Sequence, residues 1–387
     1  MKTNVFLAAV AAVLAVPTVI TIVNEQGSFT RYEDVPRLFD GFTPEKVAGI
    51  RISKVKLDDN GAPITGRNGQ KEHEVLAIGL TSSGDWVIAD QSPLRGAPVK
   101  KDTIVTHILQ HIEQIRRDED ALIEVDASDE ALAEYGLDED HGVLIQCFDA
   151  NNRPVVELIK GRSARDAKAG QDSLRGHFVR RKDRQDIVLY EQDYWNLQLE
   201  PRGWFDRSLI PGTAATQAVR FRMKNAHGEI ELAKDKPTDV AWRVVKAPEG
   251  CGAPRQAEIN ALAGRIAQAS VADYIQPLPS DSQQRALVLK QVGFSDDAAE
   301  AEFELEDGTI YTLYVGNKLE DKHEYRAVAS NRDFLLTVPG HVRTTMDKDL
   351  VDLFDVAKEL VEDTPPKDAD TPPGDAPSKD GDDDGGK

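Results

Sequence analysis

Two histidines, His107 and His111, stand four residues apart within a stretch of helical periodicity, so they share a helix face. That spacing can hold zinc. A zinc protease also needs a Glu beside the first His as general base, and position 108 is Ile. A third ligand would be required as well. The apolar stripe through Ile104, Ile108, Ile112 and Ile115 puts both histidines at its border, so they read as flanking residues of a buried helix face. Gly161-Arg-Ser-Ala-Arg lacks the second glycine of a nucleophile elbow, and no local pattern supplies a positioned His and acid for Ser163. No phosphate-cradling Gly-x-x-x-x-Gly-Lys run occurs, and no Gly-x-Gly-x-x-Gly follows a strand. The carboxylates Glu130, Glu134, Asp138, Glu139 and Asp140 are abundant without declaring a catalytic pair, which needs a set separation and split pKa values. Trp86 and Trp242 occupy equivalent places after turns. They read as repeated core anchors; exposed, they could stack on sugars. The sequence therefore assigns no catalytic, cofactor-binding or metal-ligating residue and no cofactor, and it argues against an enzyme.

The elements around these residues follow a repeated order. Tyr135-Gly-Leu-Asp leads into the apolar run Val143–Phe148, an Asp-Ala-Asn-Asn turn, the run Val155–Ile159 and Gly161. Further on, Val292-Gly-Phe-Ser leads to Phe303–Leu305, a Glu-Asp-Gly turn, Ile310–Val315 and Gly316. Gly136 is free to take positive φ in its turn, and Asp138 and Ser295 can order the turns by local hydrogen bonds. Val47–Ile52, Val75–Leu80 and Trp86–Ile88 read as strands before the first copy, with a polar excursion at Lys54–Lys71. Asp102 is placed to cap the helix through Ile104–Ile115. His177–Val179 and Ile187–Tyr190 read as strands, Trp195 marks a short helical piece, and Trp204–Pro211 closes the first unit. The second unit repeats this with Val219–Met223, Ala241–Val245, a helix through Ile259, Leu262 and Ile266, then Tyr325–Val328 and Phe334–Val338. A closing helix is expected from Val342 to Val361, with Met346, Leu350, Leu353, Phe354, Ala357 and Leu360 on one side.

Agreement in order points to duplication and to an α+β fold. The expectation is two tandem similar β-rich units with amphipathic helices, after one N-terminal transmembrane helix. The divisions are an anchor at 1–24, a connector at 25–44, a first repeat unit at 45–211, a second at 212–362 and a disordered acidic tail at 363–387. Val5–Val23 is free of charge and would cover roughly 28 Å as a helix, about one bilayer core. The run exceeds a usual signal-peptide core and lacks a small-x-small site, so an uncleaved anchor is favoured over a cleaved signal. Lys2 before it places the bulk of the chain outside the cytoplasmic membrane. Ser28–Pro44 could be a surface helix or a stalk. The tail, with its Pro, Gly and Asp and no large apolar residue, lacks the surface to fold.

Among 387 residues, 47 are basic and 67 acidic, a net −20 that opposes nucleic-acid binding. The local basic group Arg175, Arg180, Arg181, Lys182 and Arg184 reads as a solvated hairpin. Cys147 sits on an apolar strand and Cys251 in a Gly-Cys-Gly loop; lying in different repeats, they read as unpaired thiols.

The combination of Gly84-Asp-Trp86, the Tyr135-Gly-Leu-Asp turn, the strand pair ending in Gly161, His177-Phe-Val-Arg and Trp204-Phe-Asp-Arg-Ser-Leu resembles the domain of unknown function family 4340 of bacterial envelope proteins. The likeness runs over roughly residues 45 to 356. Members are often encoded beside gliding-type ABC transport components. The resemblance implies a membrane-tethered, non-catalytic partner of a transport or envelope assembly, with transporter subunits as protein partners, and it brings no catalytic residues. A glycan-binding module using Trp86 or Trp242 is the alternative, and a hydrolase without a recognisable motif is a third.

Overall fold

A computed structural model of the chain describes residues 35–166, 173–192, 195, 197–294 and 298–356. The apolar run Val5–Val23, Ser295 and the tail from Asp363 lie outside these residues.

The described chain is β-rich, with two eight-stranded sheets and few helices. The first half holds β1 (Gly49–Val55), β2 (His73–Leu80), β3 (Trp86–Ile88), α1 (Lys101–Ile104), a π turn (Val105–Leu109), α2 (Gln110–Gln114), β4 (Leu122–Glu124), α3 (Asp129–Glu134), β5 (Val143–Phe148), β6 (Pro154–Asp166), β7 (Ser173–Arg181) and β8 (Ile187–Tyr190). After α4 (Ala214–Gln217), the second half holds β9 (Ala218–Asn225), β10 (Gly228–Ala233), β11 (Arg243–Lys246), β12 (Cys251–Pro254), α5 (Gln256–Ala267), β13 (Asp273–Pro277), α6 (Ser282–Gln291), β14 (Ala299–Leu305), β15 (Ile310–Lys318), β16 (Glu324–Ala329), β17 (Phe334–Pro339), α7 (Gly340–Met346) and β18 (Phe354–Val356).

The sheet orders are β3-β2-β1-β5-β6-β7-β8-β4 and β11-β10-β9-β14-β15-β16-β17-β13. Matched strand for strand, these are one topology. Alternation builds the buried faces: Ile50 and Ile52 of β1, Ile145 and Cys147 of β5, and Phe221, Met223, Ala301 and Phe303 opposite them in the second sheet. The apolar stripe Ile104, Ile108 and Ile112 covers the first sheet's core, and Ile259, Leu262 and Ile266 of α5 the second's. One contiguous apolar cluster runs through both halves.

The paired turns fold alike. Gly136 and Gly293 both have positive φ, at 66° and 89°. Arg162 N–H donates to the Tyr135 carbonyl at 3.1 Å, so the turn rests on the middle of β6, and a Cβ on Gly161 would collide with that carbonyl oxygen. In the second half Gly316 lies against the Phe294 ring. Asp138 orders its turn as expected, its carboxylate accepting from His141 N–H at 3.3 Å and meeting the His141 ring at 2.9 Å.

Four expectations are corrected. The connector is neither surface helix nor free stalk where it is described: Leu38, Phe39 and Phe42 are buried in the core, and Leu38 N–H donates to Ile115 O at 3.0 Å. The closing helix stops at Met346, and residues 357–361 of the expected helix lie outside the described residues. Asn225 Nδ2 binds the Met346 and Lys348 carbonyls at 2.8 Å each, and Asp349 caps a 3-10 turn over Leu350–Leu353 before β18. The apolar spacing that suggested one helix is met by a helix, a tight turn and a strand. Asp102 sits in the first turn of α1, whose N-cap Lys100 makes no side-chain cap. Trp195 lies outside regular structure. The Lys54–Lys71 excursion extends the β1–β2 hairpin, with bridges Leu57↔Pro63 and Thr65↔Lys71.

Candidate functional site

The inner face of the first sheet carries a polar cluster beneath α1 and α2. The register brings it together: Ser163 pairs with His177, and His177 with Tyr190. His111 lies over them, its Nδ1 3.0 Å from the Tyr190 hydroxyl, and its ring stacks on Trp195 at 5.1 Å. Trp195 donates its indole N–H to the His107 carbonyl at 2.8 Å, within the π turn, where the helical ladder is loosened. Lys160 lies with its ammonium 6.0 Å from the centre of the Trp195 ring.

Burial sets the charges here. It pushes the His177 pKa down to about 4, with Lys160 and His111 adding to the effect. It pushes His111 down to about 4 as well, with His107 adding to it. The Lys160 ammonium is brought down to about 8 by burial, helped by Lys54. At neutral pH both rings are therefore uncharged.

The second half has no such cluster in the same places. Lys160 pairs with Val179, as Val315 pairs with Ala327, and Lys160 and Val315 each precede a glycine within the strand. His177 and Tyr190 correspond to the pair Tyr325 and Val338. The sequence passed over Lys160, and the signal was available: the residue before Gly161 differs in kind from the residue before Gly316.

Chemically, the cluster contains a Ser–His contact. Ser163 Oγ is 3.3 Å from His177 Nδ1, while His177 Nε2 is buried without a partner. No carboxylate among the described residues bonds either nitrogen, so nothing orients the imidazole as a base. His107 and His111 do share a helix flank, and no group of three or more His, Cys, Asp or Glu converges among the described residues. Trp86 and Trp242 are buried, at 6% and 2% exposure, and neither presents a ring face for stacking. Cys147 and Cys251 are free thiols; burial pushes the Cys147 pKa up to about 12. Of the basic group, Arg175, Arg181 and Lys182 pair with Glu191, Asp183 and Glu157 near the surface. Arg180 departs from the solvated-hairpin reading, because it is buried.

Between the halves, Trp204–Pro211 acts as a wedge. Phe205 bridges to Val99 and stacks edge-on against Tyr274 at 4.7 Å. Tyr274 OH donates to Asp206 O at 2.7 Å, and the Asp206 carboxylate takes the Arg332 guanidinium at 2.6 Å. A cleft of about 580 Å³ opens at this junction, lined by Trp86, Lys100, Asp206, Arg332 and Phe334 among others.

The outer strands of the two sheets differ. The free edge of β3 is sealed by the chain that follows it: Ile88 N–H donates to Ala97 O at 2.9 Å, and Val99 N–H to Trp86 O at 2.8 Å. Among the described residues nothing pairs with the outer edge of the corresponding β11. Val240, Val244 and Val245 stand exposed there, at 79%, 40% and 51%.

Residues 86–283, which are 198 of the 387, match the family model described as Domain of unknown function (DUF4340), and the chain belongs to that family. The matched segment runs from the start of β3 to the start of α6, so it spans the junction between the halves. No curated protein matches the chain. No solved structure matches it.

Proposed function

We propose that this is a membrane-anchored, extracytoplasmic, non-catalytic protein that binds a protein partner in an envelope or ABC-type transport assembly, and that its two halves arose by duplication. The observation that carries the reading is the open edge of β11 set against the sealed edge of β3. An unpaired edge with exposed valines is a template for an added strand. The occupant is an extended segment of another protein with an apolar pair to set against Val244 and Val245; Arg243 and Lys246 already pair with Asp235 and Glu229. Arg243 and Lys246 flank Val244 and Val245, and antiparallel pairing with a second copy would set like charges opposite each other. The anchoring part rests on the Val5–Val23 run. The glycan alternative loses its stacking surface with the burial of Trp86 and Trp242.

The test is photo-crosslinking of the full chain in native membranes. A crosslinking residue at Val240 is expected to capture a partner, and Val245→Asp to abolish that adduct with unchanged circular dichroism. No adduct, or equal yield with Val245→Asp, would count against the edge.

A further inference from the structure

Arg180 sits on the outer face of β7 with 7% exposure. Its Nε donates to Leu137 O at 2.8 Å, and its Nη1 to the carbonyls of Arg181, Lys182 and Arg184 at 3.2, 3.1 and 3.0 Å. Among the described residues its Nη2 donates to no protein atom, and no carboxylate lies within ion-pairing distance of the guanidinium. Burial lowers its pKa, and Glu139, Asp138 and Asp129 oppose this only from beyond contact, so a cation bonded directly to carbonyls keeps part of its desolvation cost uncompensated.

Sheet register makes the anomaly sharper. Direct pairs run Ser53, Leu144, Ile159, Arg180 across β1, β5, β6 and β7. The corresponding row in the second sheet is Lys224, Glu300, Tyr314, Val328. There a cation and an anion are neighbours, and the buried end is a valine packed with Leu278 and Leu335. The first half places a charge where the second places valine, and its row holds no acid.

Beside Arg180 lies a cavity of about 330 Å³. Four cations line it, Lys54, Lys71, Lys182 and Arg180, against Asp138 and Glu139. Lys71 and Lys182 are already paired, with Asp140 and Glu157; Lys54 has no ion pair among the described residues. Asp138 is engaged by His141. Val55, Leu144 and Ile159 supply an apolar wall. The volume is at the small end for ligand sites.

We infer that this cavity binds a small carboxylate with an apolar body, the carboxylate on the free Nη2 of Arg180 and the body on Leu144, Ile159 and Val55. A charge-assisted bond to a carboxylate is the contact the guanidinium lacks. A short-chain acid and the C-terminus of a peptide ending in an apolar residue present the same chemistry.

Calorimetric titration of the full chain in detergent tests this, with hexanoate, hexanol, inorganic phosphate, and the peptide Ala-Ala-Ala-Val with free or amidated C-terminus. Hexanoate is expected to bind saturably, and hexanol and phosphate not. Tighter binding of the free peptide, lost on amidation, assigns the peptide source; binding of hexanoate alone assigns the free acid. Arg180→Lys should weaken binding about tenfold. Lys54→Glu changes a group without an ion pair and should weaken binding in a chain that folds normally. Glu139→Gln removes a competing charge and should tighten it. The inference is overturned if no carboxylate probe gives saturable heat, if phosphate matches hexanoate, or if Lys54→Glu and Glu139→Gln both leave affinity unchanged.

Discussion

At the scale of single residues, Gly161 of β6 and Gly316 of β15 are alike in sequence and unlike in tolerance. A Cβ at Gly161 would strike the backbone carbonyl of Tyr135, which is fixed by its bond to Arg162 N–H. At Gly316 it would meet the Phe294 ring at 3.2 Å, a side chain that can shift. Gly161→Ala should therefore cost about 1–3 kcal/mol, and Gly316→Ala under about 1 kcal/mol, measured by urea unfolding. Equal losses would refute the distinction. The buried histidines set a pH dependence. Their folded pKa values, about 4, lie below the unfolded value, so the folded state favours the neutral ring. That contribution is complete above pH ~6.5 and drains away as pH falls toward ~4, by up to about 1.4 kcal/mol per pH unit for each ring. Lys160, His107 and Tyr190 face the pair, and the lysine is charged through the whole window, which keeps the sign. His177→Phe should flatten the slope of stability between pH 7 and 5; an unchanged slope would show that His177 is not its source.

At the scale of elements, the central hairpins were legible because each carries its own instructions. Val143–Phe148 and Val155–Ile159 are apolar runs around an Asp-Ala-Asn-Asn turn, and Asn152 takes φ 59° there, as Asn can. The edge strands β4 and β13 were missed, since Leu-Ile-Glu and Asp-Tyr-Ile-Gln-Pro are short, without a clean alternation to read. β10 was missed as well, though it does alternate, Ile230 and Leu232 being buried between exposed or half-buried neighbours. The polar positions of the candidate sites were hidden for another reason. Lys160 follows the apolar Leu158 and Ile159, and Arg180 heads a basic run that reads as solvated; pairing across strands shows that each replaces a valine of the other sheet. The exposed edge of β11 is likewise invisible in sequence, because what distinguishes it from β3 is the presence of a covering segment elsewhere. Val245→Asp falls on that uncovered edge and should leave the unfolding free energy in urea within about 0.5 kcal/mol of the parent.

At the scale of the molecule, the junction decides whether the halves act as one body. The wedge at Phe205 and Asp206, the Tyr274 contact and the shared apolar cluster predict a single cooperative transition in urea, identical by tryptophan fluorescence and by circular dichroism. Trp86, Trp195 and Trp204 report the first half and Trp242 the second. Arg332→Ala deprives Asp206 of its cation and the Ser208 carbonyl of a donor, and should lower stability by about 1–3 kcal/mol. Two separated transitions in the parent protein would contradict the junction. The docking of Leu38, Phe39 and Phe42 has a further consequence for geometry. If the chain leaves the bilayer near Val23, eleven residues, 24–34, lie between that point and the docked body. Fully stretched they reach roughly 40 Å. On that condition the docked body would stand within that reach of the bilayer, and a partner held by it would share the same narrow zone.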